Sequence, residues 1–310
     1  MTAFTELVSC ELPLQLAGMG GGGSDPPLAS AVCNAGGFGM LGLGGLPVPA
    51  VEQMLDAMTA MTSKPFGVNF LMPFLERPAV ELAASRCRMV EFFYDAPDPS
   101  LVAMAHDGGA LAAWQVGSAD EAKAAVDAGC DVVIAQGTEA GGHVRGTKPL
   151  REMLADVLAS VSVPVVATGG LGTAGQVKNA IDAGASAVRI GTRFLAADES
   201  PAHPDYVDAL IAASADDTEI TTAFNVGWPD APHRVLKASL AAAQAATGDV
   251  VGIMRFGSME FPVTRFSTTF PMKGATGDIA AMCMYAGTSV DGVRERRPAA
   301  DIVAELCSEI

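Results

Sequence analysis

The run Ala135-Gln136-Gly137-Thr138-Glu139-Ala140-Gly141-Gly142-His143 concentrates more usable chemistry than any other stretch of the chain. Gln136 carries both a hydrogen-bond donor and an acceptor. Gly141 and Gly142 allow backbone N–H groups to approach a ligand closely. His143 then stands at a fixed distance from that ligand and can act as acid, base or hydrogen-bond donor near neutral pH. The run follows the apolar stretch Asp131–Ala135, so it begins where a strand is expected to end. Two further glycine clusters lie in the same position after apolar stretches. Thr168-Gly169-Gly170-Leu171-Gly172-Thr173 follows Val163–Ala167 and leads into a helical segment, and Arg189-Ile190-Gly191-Thr192-Arg193 ends the next stretch. Glycine backbone N–H groups at the head of a helix form an anion site, so this pair suits a phosphate. Asn69 and Gln115 end two other apolar stretches and could bond a ligand or cap their own strands.

Gly18-Met19-Gly20-Gly21-Gly22-Gly23 satisfies the dinucleotide pattern G-x-G-x-x-G, which also requires an acid about 20 residues on. The corresponding region, Leu41-Gly42-Leu43-Gly44-Gly45, has none. The better reading is a flexible first loop whose backbone passes close to a flat ligand.

These groups need a scaffold that brings the ends of several strands to one place. Apolar stretches at Leu12–Leu16, Phe38–Leu41, Phe66–Phe70, Met89–Phe93, Ala110–Trp114, Val132–Ala135, Val163–Ala167 and Ala187–Ile190 read as strands. They recur at roughly the length of one strand-turn-helix unit. Between them lie segments of helical periodicity, such as Val51, Met54, Leu55, Met58 and Leu150, Met153, Leu154, Val157, Leu158. Ser118 with Glu121 is a capping box opening another helix. Ala125-Val126-Asp127-Ala128-Gly129 is echoed two units later by Ala180-Ile181-Asp182-Ala183-Gly184, each glycine placed to end a helix before a strand. Eight such units make a parallel (β/α)8 TIM barrel the first choice and an open doubly wound sheet the second. In a barrel, the loops after the strands carry the chemistry, and those after strands seven and eight commonly hold phosphate.

The repeat stops after Leu195. Residues 205–287 read as an inserted, mainly helical cap after the eighth strand, and Asp291–Ile310 reads as a returning helix with Ile302, Val303, Leu306 and Ile310 on one face. The expected domains are thus a barrel of 1–204 and 288–310 and a cap of 205–287. His203 and His233 fall in or beside the cap with no evident partner, and His106 reads as structural.

Composition narrows the partners. The 310-residue chain is 50% hydrophobic and carries a formal charge of −16. So acidic a surface repels nucleic-acid phosphates, and no apolar run reaches the roughly 18 residues of a membrane span. The first basic residue is Lys64, which speaks against a cleavable leader. Six cysteines without a CxxC pair read as reduced thiols of a cytoplasmic protein and disfavour a metal site.

Taken together, Gly67-Val68-Asn69, the Ala135–His143 run, Thr168-Gly169-Gly170 and Arg189-Ile190-Gly191-Thr192 give a chain that resembles the nitronate monooxygenase (2-nitropropane dioxygenase) family of FMN-dependent barrel enzymes over nearly its whole length. The resemblance implies FMN as cofactor, with Met19, Asn69, Gln136, Gly141 and Gly142 near it. It implies that Gly169, Gly170 and the Arg189, Ile190, Gly191, Thr192 turn hold the phosphate, that His143 is the active-site residue, and that no metal takes part. The implied activity is oxidation of alkyl nitronates with O2 to carbonyl compounds and nitrite. Because enoyl-ACP reductase II and certain NADH:quinone reductases look similar in the Gln136–His143 run, an NAD(P)H-dependent reductase of quinones or enoyl thioesters stands as the alternative. A non-catalytic phosphate-ligand sensor is a third. The expected partners are a small nitronate and O2, with no nucleic acid and no membrane, and a homo-oligomer is compatible with the reading. Two positions depart from the family: Ala17-Gly18-Met19, where Ala-Pro-Met is common, and Phe93-Tyr94-Asp95, where a small residue is commoner. Both would line the substrate side.

Overall fold

The computed structural model describes residues 1–256 and 259–310. The insertion expected at 205–287 therefore includes Gly257 and Ser258, which lie outside the described residues. Eight parallel strands, β1 Leu14–Leu16, β2 Met40–Gly42, β3 Gly67–Leu71, β4 Met89–Phe93, β5 Leu111–Val116, β6 Val132–Gln136, β7 Val165–Thr168 and β8 Ala187–Ile190, alternate with helices along the chain. From β2 to β8 each strand pairs with the next, and β8 pairs with β1. A single bridge between Gln15 and Phe38 brings β1 against the entry to β2, closing the ring. All eight expected strands are present, and the fold is a TIM barrel.

The period-2 alternation of each strand divides its side chains between two places. Outward residues such as Val68, Val90, Ala112, Val133, Ala167 and Val188 join the large core beneath the helices. Inward residues Met40, Met89, Ala113, Ile134, Val166 and Ala187 form a smaller apolar core inside the barrel, plugged by Phe4 and Val8 of the helix Ala3–Val8. One step toward the strands' C-terminal ends the inward layer turns polar: Gln15, Asn69, Glu91, Gln115, Gln136, Thr168 and Arg189 are all buried. Barrel interiors are normally filled by branched apolar side chains, so this layer marks the end of the barrel built for chemistry.

The helical punctuation follows the sequence. Gly129 and Gly184 take φ of +100° and +109° just beyond their helices, the left-handed geometry in which glycine carries no Cβ penalty. Ser118 caps its helix by accepting from Glu121 N at 3.1 Å. The Glu121 carboxylate, however, reaches Gly117 N and Arg145 instead of closing the box on Ser118.

The insertion differs from the mainly helical expectation. It holds the helices Pro204–Ala212 and Lys237–Ala245, but also antiparallel strands Thr218–Thr221, His233–Leu236, Val250–Phe256 and Met259–Thr264. A second apolar core built from Leu195 to Val293 unites these elements, apart from the strand Thr218–Thr221. The chain then returns through Ala299–Leu306, which packs against the helices Pro26–Asn34 and Ala174–Asp182. Ile302, Val303 and Leu306 are buried as expected, but Ile310 lies past the helix and is exposed.

Candidate active site

One cavity of about 460 Å³ opens over the polar layer, within the range usual for small-molecule sites. Met19, Asn69, Gln136, Gly141, Gly142, His143, Gly169, Gly170, Arg189, Gly191 and Thr192 all line it. Ile190 does not. It follows the inward Arg189, so alternation turns its side chain outward into the core beneath the helices.

The glycine-rich first loop folds down over β1. Gly18 lies so near β3 that a Cβ there would sit 2.3 Å from Asn69 Cβ, which explains why this chain needs glycine at that position. Asn69 Nδ2 donates to Glu91 Oε1 at 2.8 Å, while its Oδ1 is buried with no partner among the described residues. An unpartnered buried acceptor beside a cavity is a place for a ligand donor.

Arg189 points into the barrel from β8. Its guanidinium lies in the polar layer, where it forms an ion pair with Glu91 and donates to Gln115 Oε1 at 2.7 Å. It sits at the cavity floor, whereas Gly170 and Gly191 belong to the loops above β7 and β8. Gln136 likewise works on its own loop. Its Nε2 donates to His143 O at 2.9 Å and its Oε1 accepts from Arg145 N at 3.2 Å. It braces the histidine backbone. Glu139 accepts from Leu150 N at 2.8 Å, satisfying the head of the following helix.

The cap fixes His143 from the other side. Gly142 and His143 form a short strand that pairs with His233 and Arg234 of the insertion. Arg234 Nε and Nη2 both donate to Thr138 O, at 3.0 and 2.9 Å. Barrel loop and cap are thereby one sheet at this point. The His143 ring stacks on Trp228 at 3.9 Å and touches His233 at 5.2 Å, Tyr285 at 5.7 Å and Tyr94 at 5.8 Å. Burial among these rings, with a smaller push from His233, drives the His143 pKa down to about 3. The imidazole is therefore neutral at physiological pH, and its Nε2 is buried with no partner among the described residues.

Tyr94 holds φ of +82°, a conformation that bulky residues rarely adopt. It turns the ring toward Trp228, 4.6 Å away, with Arg145 over its face at 5.9 Å. Strain of this kind persists where the surroundings enforce it, commonly at functional sites.

Sequence reasoning missed four participants. Glu91 was detectable as the one charge inside the apolar stretch Met89–Phe93. His233 and Trp228 left no local signal, because only the pairing of cap and barrel brings them to His143. Tyr285 is the fourth: it arrives from the far end of the insertion, its OH donating to Thr268 O at 3.0 Å. His106 and His203 stay outside the site. His106 Nε2 lies 2.9 Å from Asp131 Oδ2, and His203 Nδ1 accepts from Asp205 N at the head of its helix. All six cysteines are free, and among the described residues no cluster of His, Cys, Asp and Glu is arranged for a metal. No described helix is long and apolar enough to cross a membrane.

The nitronate monooxygenase family model matches residues 1–79 and 74–309. The chain belongs to the nitronate monooxygenase family. It is 31% identical to a nitroalkane oxidase of known structure from Streptomyces ansochromogenes, covering 99% of this chain and 97% of that one with a TM-score of 0.77. FabK from Thermotoga maritima superposes with a TM-score of 0.81 at 26% identity, covering 100% and 96% of the two chains. A Rhodococcus jostii protein is 32% identical over 82% of this chain and 70% of its own length. It is named (3aS,4S,5R,7aS)-5-hydroxy-7a-methyl-1-oxo-octahydro-1H-indene-4-carboxyl-CoA dehydrogenase. Family membership thus establishes an oxidoreductase-type barrel that acts on small molecules, and its relatives carry more than one named reaction.

Proposed function

We propose that this chain binds FMN and oxidises nitronates with O2, releasing a carbonyl compound and nitrite. The observation that carries the reading is the lining of one cavity. It brings together the glycine loops above β7 and β8 and a histidine held neutral by burial, in a chain of this family. Several features fit a flavin. Backbone approaches close at Gly18, an unpartnered Asn69 Oδ1 and a volume suited to a small molecule all belong to the same cavity. Gly169, Gly170, Gly191 and Thr192 would hold the phosphate through backbone N–H groups. Met19, Asn69, Gly141, Gly142 and Arg189 would hold the rest. When bound, the flavin supplies the redox and O2 chemistry that side chains lack.

The residues of the chain do the remainder. Neutral His143 offers one N–H to the negative oxygens of a nitronate. Trp228, Phe270 and Tyr285 enclose that position with apolar surface and exclude water. An imidazole with so low a pKa is a weak base, so the site suits a nitronate that arrives already deprotonated better than a neutral nitroalkane.

The likeness to FabK along the whole chain, and to a relative named a carboxyl-CoA dehydrogenase, supports a second reading: an NAD(P)H-dependent reductase of quinones or enoyl thioesters. Anaerobic mixing of the FMN-loaded protein with a nitronate, and separately with NADH, decides between them. Rapid bleaching of flavin absorbance by the nitronate alone is expected. Bleaching by NADH alone would overturn the oxidase reading in favour of the reductase. Protein that takes up no FMN would overturn both.

A further inference from the structure

Glu91 is fully buried, lies outside the cavity lining, and comes from a strand whose neighbours Val90 and Phe92 pack into the apolar core. Its Oε1 accepts from both Asn69 Nδ2 and the Arg189 guanidinium, and both donors belong to residues that line the cavity. Its Oε2 is buried without a partner among the described residues. A carboxylate in such a place is costly unless a cation compensates it, and Arg189 is that cation. We propose that Glu91 is a positioning residue: it holds the Arg189 guanidinium and the Asn69 amide at the cavity floor and cancels the arginine's charge there. This inference rests on the reading that FMN occupies the cavity.

The two roles separate under substitution. Glu91→Gln keeps the side chain's shape and an acceptor for Asn69, but leaves Arg189 uncompensated in the barrel. Uncompensated positive charge favours the more negative, reduced form of a bound cofactor. Affinity for reduced FMN should rise relative to oxidised FMN by roughly tenfold, which is about 30 mV upward for a two-electron couple. Arg189→Gln should move the potential downward. Arg189 is the member of the pair that lines the cavity, so the loss of its positive charge is felt there directly. The double variant should return toward the wild-type value. A merely structural role would not produce shifts of opposite sign.

The experiment is FMN binding by fluorescence followed by potentiometric titration of wild type, Glu91→Gln, Arg189→Gln and the double variant. An upward shift in Glu91→Gln and a downward shift in Arg189→Gln support the proposal. FMN bound to folded variants with unchanged potentials overturns it. Should Glu91→Gln fail to fold, Arg189→Gln decides alone, and a potential that does not fall overturns the proposal. Wild-type protein that binds no FMN overturns the cofactor reading instead, so the two failures are distinguishable.

Discussion

The His143 imidazole and the Trp228 indole lie face to face, their centroids 3.9 Å apart and their planes 23° from parallel. Phe74 meets the same indole edge-on at 5.1 Å, and Tyr94 meets it at 4.6 Å. The histidine that would face substrate is thus one layer of an aromatic stack built half from the barrel and half from the cap. Stacking removes water from the imidazole, and loss of hydration penalises its charged form. The low pKa of His143 is therefore a property of the barrel–cap junction.

Trp228→Ala should return the His143 pKa from about 3 toward the ordinary histidine value, by a unit or more. Titration of the imidazole protons by NMR measures it. A pKa that stays near 3 would assign the shift to His233 and the remaining rings.

Acid should destabilise the fold through the same group. The pKa values of His143 and His233 are both lowered, chiefly by burial. Between the folded value of His143 and the unfolded value near 6.5, the unfolded chain binds more protons. The contribution to stability is fully present above about pH 6.5 and lost as pH falls toward 3. Denaturant unfolding at a series of pH values should show stability falling across that window. His143→Leu should flatten the slope, and an equal slope in both proteins would refute the linkage.

What the sequence made legible follows from where each signal is stored. Strand positions were readable because a buried parallel strand must be apolar, as Val132–Ala135 and Val163–Ala167 are. The first glycine loop was readable as a backbone that passes close to something flat, and at Gly18 the structure shows a close approach to Asn69. Side-chain partners were less so. The resemblance placed Arg189 in a phosphate-holding turn without saying what its side chain meets; its position one residue before Ile190 on the strand turns it into the barrel toward Glu91. Part of the insertion resisted reading because its pairing spans a long sequence gap, as that of His233 with His143 does, whereas Val250–Phe256 and Met259–Thr264 pair locally.

The proposed phosphate role of the loop after β8 can be tested without disturbing the fold. A Cβ at Gly191 would meet Ala17 Cβ at 3.4 Å and Met19 Sδ at 3.9 Å, ordinary contacts, so Gly191→Val should fold. Its branched side chain would crowd the cavity, and FMN affinity should fall at least roughly tenfold, about 1.4 kcal/mol. Gly170→Ala is the contrast. Gly170 has φ of +72°, and a Cβ there would lie 2.8 Å from Glu139 Cβ and Thr288 Oγ1, so the fold itself should weaken. Fluorescence titration with FMN and thermal melts separate the two effects. Unchanged affinity in folded Gly191→Val would remove that loop from the phosphate site.

His143→Ala carries the most weight for the proposed chemistry. The glycine loops above β7 and β8 do not include this residue, and Gln136 braces its backbone, not its ring. The variant should therefore fold and retain flavin absorbance. On a preformed nitronate, the loss is that of one hydrogen bond to a charged group, roughly 10- to 10²-fold in turnover. On a neutral nitroalkane so weak a base has little proton abstraction to lose, so the loss should be of the same order. The wild-type enzyme should already favour the nitronate, since a histidine with a pKa near 3 takes a proton reluctantly. Steady-state kinetics on both substrate forms, with FMN content checked first, measures the difference. Near-wild-type turnover on both forms would make the histidine a structural layer of the aromatic stack and sink its assignment to the chemistry.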